Sequence, residues 1–303
     1  MSSAAVTSAT ACSCCGAADL RPHLAVAGEM GEQGLIPTTD AYGTALADIV
    51  KCARCGHMQL EPMPADEVLE SAYADAWSDA YVEEADGQRE TARRVLAQLE
   101  RHQRPGDLLD LGCWVGFLLA EARDRGWDVK GVEPSDAASN YARETLGLDV
   151  VTDDLFTAPL PSGSFDAIVL GDVIEHLPRP AEALERFSEL LRPGGVLAMM
   201  LPDAGSRLAR RMGKRWWSVL PTHVQYFTRS SMRTLLETNG WTVLDMDTQP
   251  KAFSVRYYLS RIEGYSKPVG KALVRGAEAA KVADRMWAPD FGDRMLVVAR
   301  RPG

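Results

Sequence analysis

Two short cysteine pairs, Cys12-Ser13-Cys14-Cys15-Gly16 and Cys52-Ala53-Arg54-Cys55-Gly56, are the first residues in the chain whose types and spacing suggest chemistry. In each, two thiols three positions apart can grip one side of a tetrahedral ion, and the trailing Gly tolerates the left-handed turn that closes the knuckle. Two knuckles supply four sulfurs, so Cys12, Cys15, Cys52 and Cys55 are expected to hold a structural zinc with no position open to water or substrate. A redox dithiol is the alternative, and the repetition of the motif with its Gly favours zinc. Cys14 could replace Cys12, and His57 could ligate, although four sulfurs do not need it.

A second constellation is Gly112-x-x-x-Gly116, which follows an apolar run, with Glu133 twenty-one residues after Gly112. Glycines between a strand and a helix let a ligand approach the backbone, and an acid at the end of the next strand can accept hydrogen bonds from ribose hydroxyls. The pair implies an adenosine-type ligand, either a nicotinamide dinucleotide or S-adenosylmethionine. A dinucleotide needs G-x-G-x-x-G to admit its pyrophosphate, and Trp114 in the middle of this turn would obstruct one.

These residues need elements to position them. Short apolar runs alternate with helical periods: strands are predicted at 107–113, 128–133, 150–154, 166–171 and 195–201, and helices at 115–125, 136–146 (capped by Ser135) and 181–191. Repeated βα units mean a parallel sheet covered on both faces, with ligands outside the carboxyl ends of its strands. Between 61 and 91 stand ten acidic residues and one basic one, read as acidic amphipathic helices, with a further helix at 88–102 ending at Pro105-Gly106.

The runs LDLGCWVGFLL, GVEPS (131–135), VVTDDL (150–155), SFDAIVLGDVIEHLPRP (164–180) and LRPGGVLAMMLPD (191–203) together resemble the class I S-adenosylmethionine-dependent methyltransferases. The branch that carries an N-terminal zinc-ribbon and an H-x-x-Y-F-T segment is the most similar. The resemblance implies an α/β, Rossmann-like, doubly wound sheet of seven strands whose last strand is antiparallel, with 241–248 and 294–300 as its final two strands. Asp110, Gly112 and Gly116 would cradle the methionine portion, Glu133 the ribose, and Asp154 with Leu155 the adenine. Cys113, Pro134 and Gly171 complete the cofactor-binding candidates. Trp114 departs from the glycine usual in the middle of the loop.

Methyl transfer to a hydroxyl requires proton removal, which suits histidine near neutral pH. Of five histidines, His176 and His223 fall where the active site should open, and with Asp172 they are the catalytic candidates. Each histidine could instead tie a loop in place. Asp172-x-x-Glu175-His176 is similar to the E-x-x-E-H run of ubiquinone-pathway O-methyltransferases, which raises a divalent ion on Asp172, Glu175 and His176. Arg207, Arg210, Arg211, Lys214 and Arg215 with Trp216-Trp217 form a basic, aromatic insertion that could be a solvated face or a lid over an anionic or phosphate-bearing substrate. Residues 251–285 add eight basic against three acidic residues. Tyr73 and Tyr81 could cap the cofactor from the acidic segment.

The expected organisation is a disordered tail (1–11), a zinc-ribbon module (12–64), an acidic helical cap (65–104) and a catalytic domain (105–303) with a flap at 203–228 and a helical insertion at 251–287. With 33 basic and 42 acidic residues the chain carries −9, which opposes a nucleic-acid surface. No apolar run exceeds six residues, so no membrane span is expected. The first eleven residues lack a basic start and an apolar stretch, so a cytoplasmic protein is expected. The leading expectation is transfer of methyl to a hydroxyl of a sugar, sugar nucleotide or specialised metabolite. Its rivals are an RNA methyltransferase, a non-catalytic interaction protein on the same scaffold, and a nicotinamide oxidoreductase.

Overall fold

A computed structural model describes residues 11–28, 42–66, 68–69 and 77–303; Tyr73 and nearly all of the expected N-terminal tail lie outside them. The N-terminal module is an antiparallel meander of β1 (Leu20–Leu24), β2 (Asp48–Cys52) and β3 (Met58–Glu61). Its fourth strand, β9 (Gln225–Tyr226), comes from the flap, with Met58 opposite Tyr226 and Gln59 opposite Gln225. The module therefore shares its core with the flap: Ile49, Leu60, Trp216, Val219 and Val224 pack together. Three short strands cannot bury enough apolar surface alone, and the flap supplies the remainder.

Helices α1 (Asp79–Glu83) and α2 (Ala85–Leu99) precede the main sheet. Then β4 (Asp107–Leu111), α3 (Phe117–Asp124), β5 (Asp128–Val132), α4 (Asp136–Leu146), β6 (Val150–Val151), β7 (Phe165–Gly171), α5 (Pro180–Leu190) and β8 (Leu191–Pro202) alternate. Ser135 caps α4 as its sequence position predicts, accepting from the Ala138 N–H at 3.2 Å. The sequence pattern ends the helix at 191 and starts the strand at 195. Instead β8 already starts at Leu191, opposite Phe165, and the ladder shifts register before Ala167. After β8 follow α6 (Arg207–Met212), β9, α7 (Arg229–Thr238) and β10 (Thr242–Thr248). The insertion is a two-stranded arm, β11 (Phe253–Ser254) with β12 (Met286–Trp287), enclosing α8 (Val255–Ser260) and α9 (Lys267–Ala279). Strand β13 (Arg294–Arg300) closes the chain.

The seven-stranded order is β10-β13-β8-β7-β4-β5-β6, with β13 antiparallel to both neighbours. Residues alternate between its faces. Leu109, Ile168, Leu197 and Val297 join the layer holding Phe187 of α5 and Leu235 of α7, whereas Leu108, Ala167, Ala198 and Leu296 join Leu96 of α2 and Leu119 of α3. Strand order reverses between β4 and β7, which opens a crevice at their carboxyl ends.

Candidate active site

The crevice opens into one continuous cavity of about 930 Å³. Gly112, at φ +73°, sits just past β4, and a Cβ there would lie 2.6 Å from Val173 Cγ2, so only glycine fits between the turn and the loop after β7. Trp114 adopts φ +51°, a conformation that costs a non-glycine residue roughly 1 kcal/mol or more. Its backbone N–H donates to Glu133 Oε2 at 2.8 Å, and the Ser135 N–H donates to Oε1 at 2.9 Å. These amides orient the Glu133 carboxylate and leave half its lone pairs for a ligand. Burial lifts the Glu133 pKa to about 7 against the pull of the two amides.

Gly112, Glu133, Pro134, Asp154, Leu155 and Gly171 all line the cavity, from four different strand ends. Asp154 Oδ1 accepts from the Phe156 N–H at 2.8 Å, which shapes the turn under the expected adenine position. Asp110, Cys113 and Gly116 lie behind the wall rather than in it. Asp110 is buried, and burial followed by the Glu133 charge raises its pKa to about 8. Cys113 packs with Leu119 and Val150, and Gly116 begins α3 at φ +83° against Leu148. They shape the loop from beneath.

His176 and His223 line the same cavity. His176 Nδ1–H donates to the Thr222 carbonyl at 2.8 Å and His223 Nδ1–H to the Ser218 carbonyl at 2.9 Å. A carbonyl can only accept, so both bonds select the tautomer whose Nε2 is the basic atom. The rings meet edge to face, 4.7 Å between centroids. Burial, joined by the neighbouring His176, pushes the His223 pKa well below its ordinary value, and burial lowers that of His176. Both are therefore neutral near pH 7.

Asp172 also lines the cavity, at φ +59°, but its carboxylate is paired with Lys251 and Arg294. Burial would raise its pKa; the two cations prevail and hold it well below the usual carboxylate range. It anchors Lys251 and Arg294 rather than accepting a proton. This also separates it from the divalent-ion set suggested by its sequence. The residues that do converge are Glu175, His176 and His223, with ligand atoms within 4.8 Å of one another. Both Glu175 oxygens are buried with no hydrogen-bond partner among the described residues, and burial followed by the Asp172 charge raises its pKa to about 8.

The basic insertion falls away from the cavity. None of Arg207, Arg210, Arg211, Lys214 or Arg215 borders it; the cations that do are Arg179, Lys251, Arg261 and Arg294. Trp216 is buried and donates from Nε1 to Asp293 at 3.0 Å, while Trp217 reaches the wall. Sequence reasoning also missed Arg294, although a signal existed: an antiparallel last strand begins at the cleft, so its first residue is delivered there. Tyr81 does line the cavity, edge-on to Trp114 at 6.1 Å.

The four candidate zinc ligands converge in the N-terminal module, within 4.8 Å of one another, with Cys12–Cys55 and Cys15–Cys52 sulfurs 3.7 Å apart. A tetrahedral zinc with Zn–S bonds of about 2.3 Å requires sulfurs about 3.8 Å apart. Cys14 instead donates to the Ser231 carbonyl at 2.9 Å. His57 donates from Nε2 to Gln225 Oε1 at 2.7 Å, and the Ser13 hydroxyl donates to the same oxygen at 2.8 Å. Gln225 Nε2 then donates to the Leu177 and Pro178 carbonyls at 3.2 and 3.0 Å. One side chain thus joins the cysteine module to the His176 loop, two residues from His223.

A seven-stranded sheet with a reversed last strand, a glycine turn after its first strand and an acid after its second defines a Rossmann-like α/β fold built to receive a nucleoside. The chain belongs to the family described as "Methyltransferase domain", whose model matches residues 82–246, more than half of the chain. It is 29% identical over 197 residues to an uncharacterized methyltransferase of Geobacillus sp., covering 59% of this chain and 92% of that one. A Mycolicibacterium smegmatis protein named "Probable S-adenosylmethionine-dependent methyltransferase" is 31% identical, over 50% of this chain and 58% of that one. The malonyl-[acyl-carrier protein] O-methyltransferase of Serratia marcescens is 30% identical, over 51% and 61% respectively. The chain therefore spans only about three fifths of these last two relatives. A chain in the solved complex between the Haloferax volcanii Trm112 methyltransferase activator and a methyltransferase shares the fold, with TM-score 0.50, 15% identity and coverage of 72% of this chain and 94% of that one.

Proposed function

We propose that the protein is an S-adenosylmethionine-dependent methyltransferase acting on a hydroxyl of a small molecule, with a structural zinc in its N-terminal module. The observation that carries this reading is that His176 and His223, each with Nδ1 tied to a backbone carbonyl, line the same cavity as Gly112 and Glu133. Glu133, Pro134, Asp154 and Leu155 would hold the nucleoside, and Gly112 and Gly171 would admit the methionine portion. When bound, the cofactor supplies an electrophilic methyl group on a sulfonium sulfur. The chain's own contribution is to accept the acceptor hydroxyl's proton on Nε2 of His223 or His176, so that oxygen attacks as it loses that proton. Cys12, Cys15, Cys52 and Cys55 would take up zinc with all four positions filled, a structural rather than a catalytic site.

Titration with S-adenosylhomocysteine by calorimetry tests the cofactor assignment. One-to-one binding is expected, and Glu133→Ala should weaken it by about thirtyfold, the loss of hydrogen bonds to a charged group worth about 2 kcal/mol. Equal affinity in the variant would remove Glu133 from the ribose site.

A further inference from the structure

One wall of the cavity is built of rings and begins beside Glu133. From Trp114 the contacts run to Tyr81 at 6.1 Å, on to Phe253 at 6.2 Å and to Tyr258 at 5.9 Å. Tyr258 meets Trp287 at 5.4 Å and Phe291 at 6.5 Å, and Phe291 meets Trp217 of the flap at 5.6 Å. All border the same cavity, so the aromatic wall is continuous from the cofactor loop to the flap. Trp287 and Phe291 remain 47% and 45% exposed among the described residues, large apolar surface open at the rim.

Two of the tyrosine hydroxyls beside the wall are already committed to the protein backbone. The Tyr258 hydroxyl donates to the Lys251 carbonyl at 2.6 Å and the Tyr265 hydroxyl to the Arg215 carbonyl at 2.7 Å, so neither points its polar end at a ligand. The four cations of the described wall are also engaged. Lys251 and Arg294 hold Asp172, Arg179 holds Asp66, and Arg261 lies over the Tyr42 and Tyr257 rings at 5.3 and 5.9 Å. A sugar nucleotide would bring hydroxyls and phosphates out of water onto this surface with few partners to receive them. A flat apolar ring system would stack on it and lose nothing polar. At about 930 Å³ the cavity lies near the top of the roughly 300–1,000 Å³ usual for small-molecule sites, room for a cofactor and a second molecule.

We infer that the acceptor is an uncharged, flat, multi-ring molecule that stacks along the Tyr81–Phe253–Tyr258–Trp287–Phe291–Trp217 wall and presents its hydroxyl toward His176 and His223. This rests on the methyl-transfer reading for the hydroxyl, and on the wall alone for the rings. The test is calorimetry on the full chain saturated with S-adenosylhomocysteine, using the isoflavone phenol daidzein and UDP-glucose as probes. Daidzein should bind more tightly than UDP-glucose, and Trp287→Ala and Phe291→Ala, rim changes that leave the core untouched, should each weaken daidzein by about tenfold without altering S-adenosylhomocysteine affinity. Tighter binding of UDP-glucose, or daidzein binding indifferent to both variants, overturns the inference. If S-adenosylhomocysteine itself fails to bind, the methyl-transfer reading falls, and daidzein titrated alone still decides the wall.

Discussion

At the scale of single residues, the site is governed by what burial does to charge. His223 and His176 sit where protonation is disfavoured, so a base built from them stays neutral well into the acid range. The histidine limb of the pH–rate profile at saturating cofactor should therefore lie below pH 6.5, and an acid limb that is unchanged in both His176→Ala and His223→Ala would assign the base elsewhere. His223→Ala should lower kcat far more than it lowers S-adenosylhomocysteine affinity. Asp110 shows the opposite sign. Its folded pKa of about 8 stands above its ordinary 3.8, so the native state keeps a proton that the unfolded chain releases, and stability drains away as pH rises through that window. Asp110→Asn should flatten this decline, visible as a smaller stability difference between pH 5 and pH 8 in urea titrations. Glu133 was legible from its spacing after Gly112. The pairing of Asp172 was not, because Lys251 and Arg294 lie 79 and 122 residues away and only the folded sheet and arm bring them together.

Elements explain why the site holds together. The βα alternation and the Ser135 cap were readable because each follows from local pattern, and the antiparallel β13 was implied by the resemblance alone. The direction of the flap was not readable: a charge run looks the same whether it faces a cavity or water, and here Trp216 turned inward to Asp293 while the arginines turned away. The flap is instead fixed by β9 and by Gln225, which is 1% exposed and bonded on both ends. Gln225→Ala would strip two backbone carbonyls and the His57 ring of their partner, at a cost of about 2–3 kcal/mol. Thermal unfolding should show that loss. Because Leu177, Pro178 and His223 are released together, kcat should fall while S-adenosylhomocysteine affinity holds, and an unchanged kcat would make Gln225 a purely structural tie.

For the molecule as a whole, the N-terminal module and the flap form one body. Cys52→Ser should abolish stoichiometric zinc and lower the stability of module and flap together, with elemental analysis and denaturant titration as the checks; zinc retained at one per chain would exclude Cys52 from the ligand set. The cysteine pattern points to a module ending near residue 64, and sequence proximity says nothing of the strand that arrives beside it from residue 225. That late strand bears on synthesis. As the chain leaves the ribosome, β1, β2 and β3 emerge with one edge of β3 bare, and more than 160 residues must be translated before Gln225 and Tyr226 can cover it. At about 5–20 residues per second, that edge waits on the order of ten seconds or longer. Metal uptake by the four cysteines during that interval would hold the meander in shape until its last strand is made.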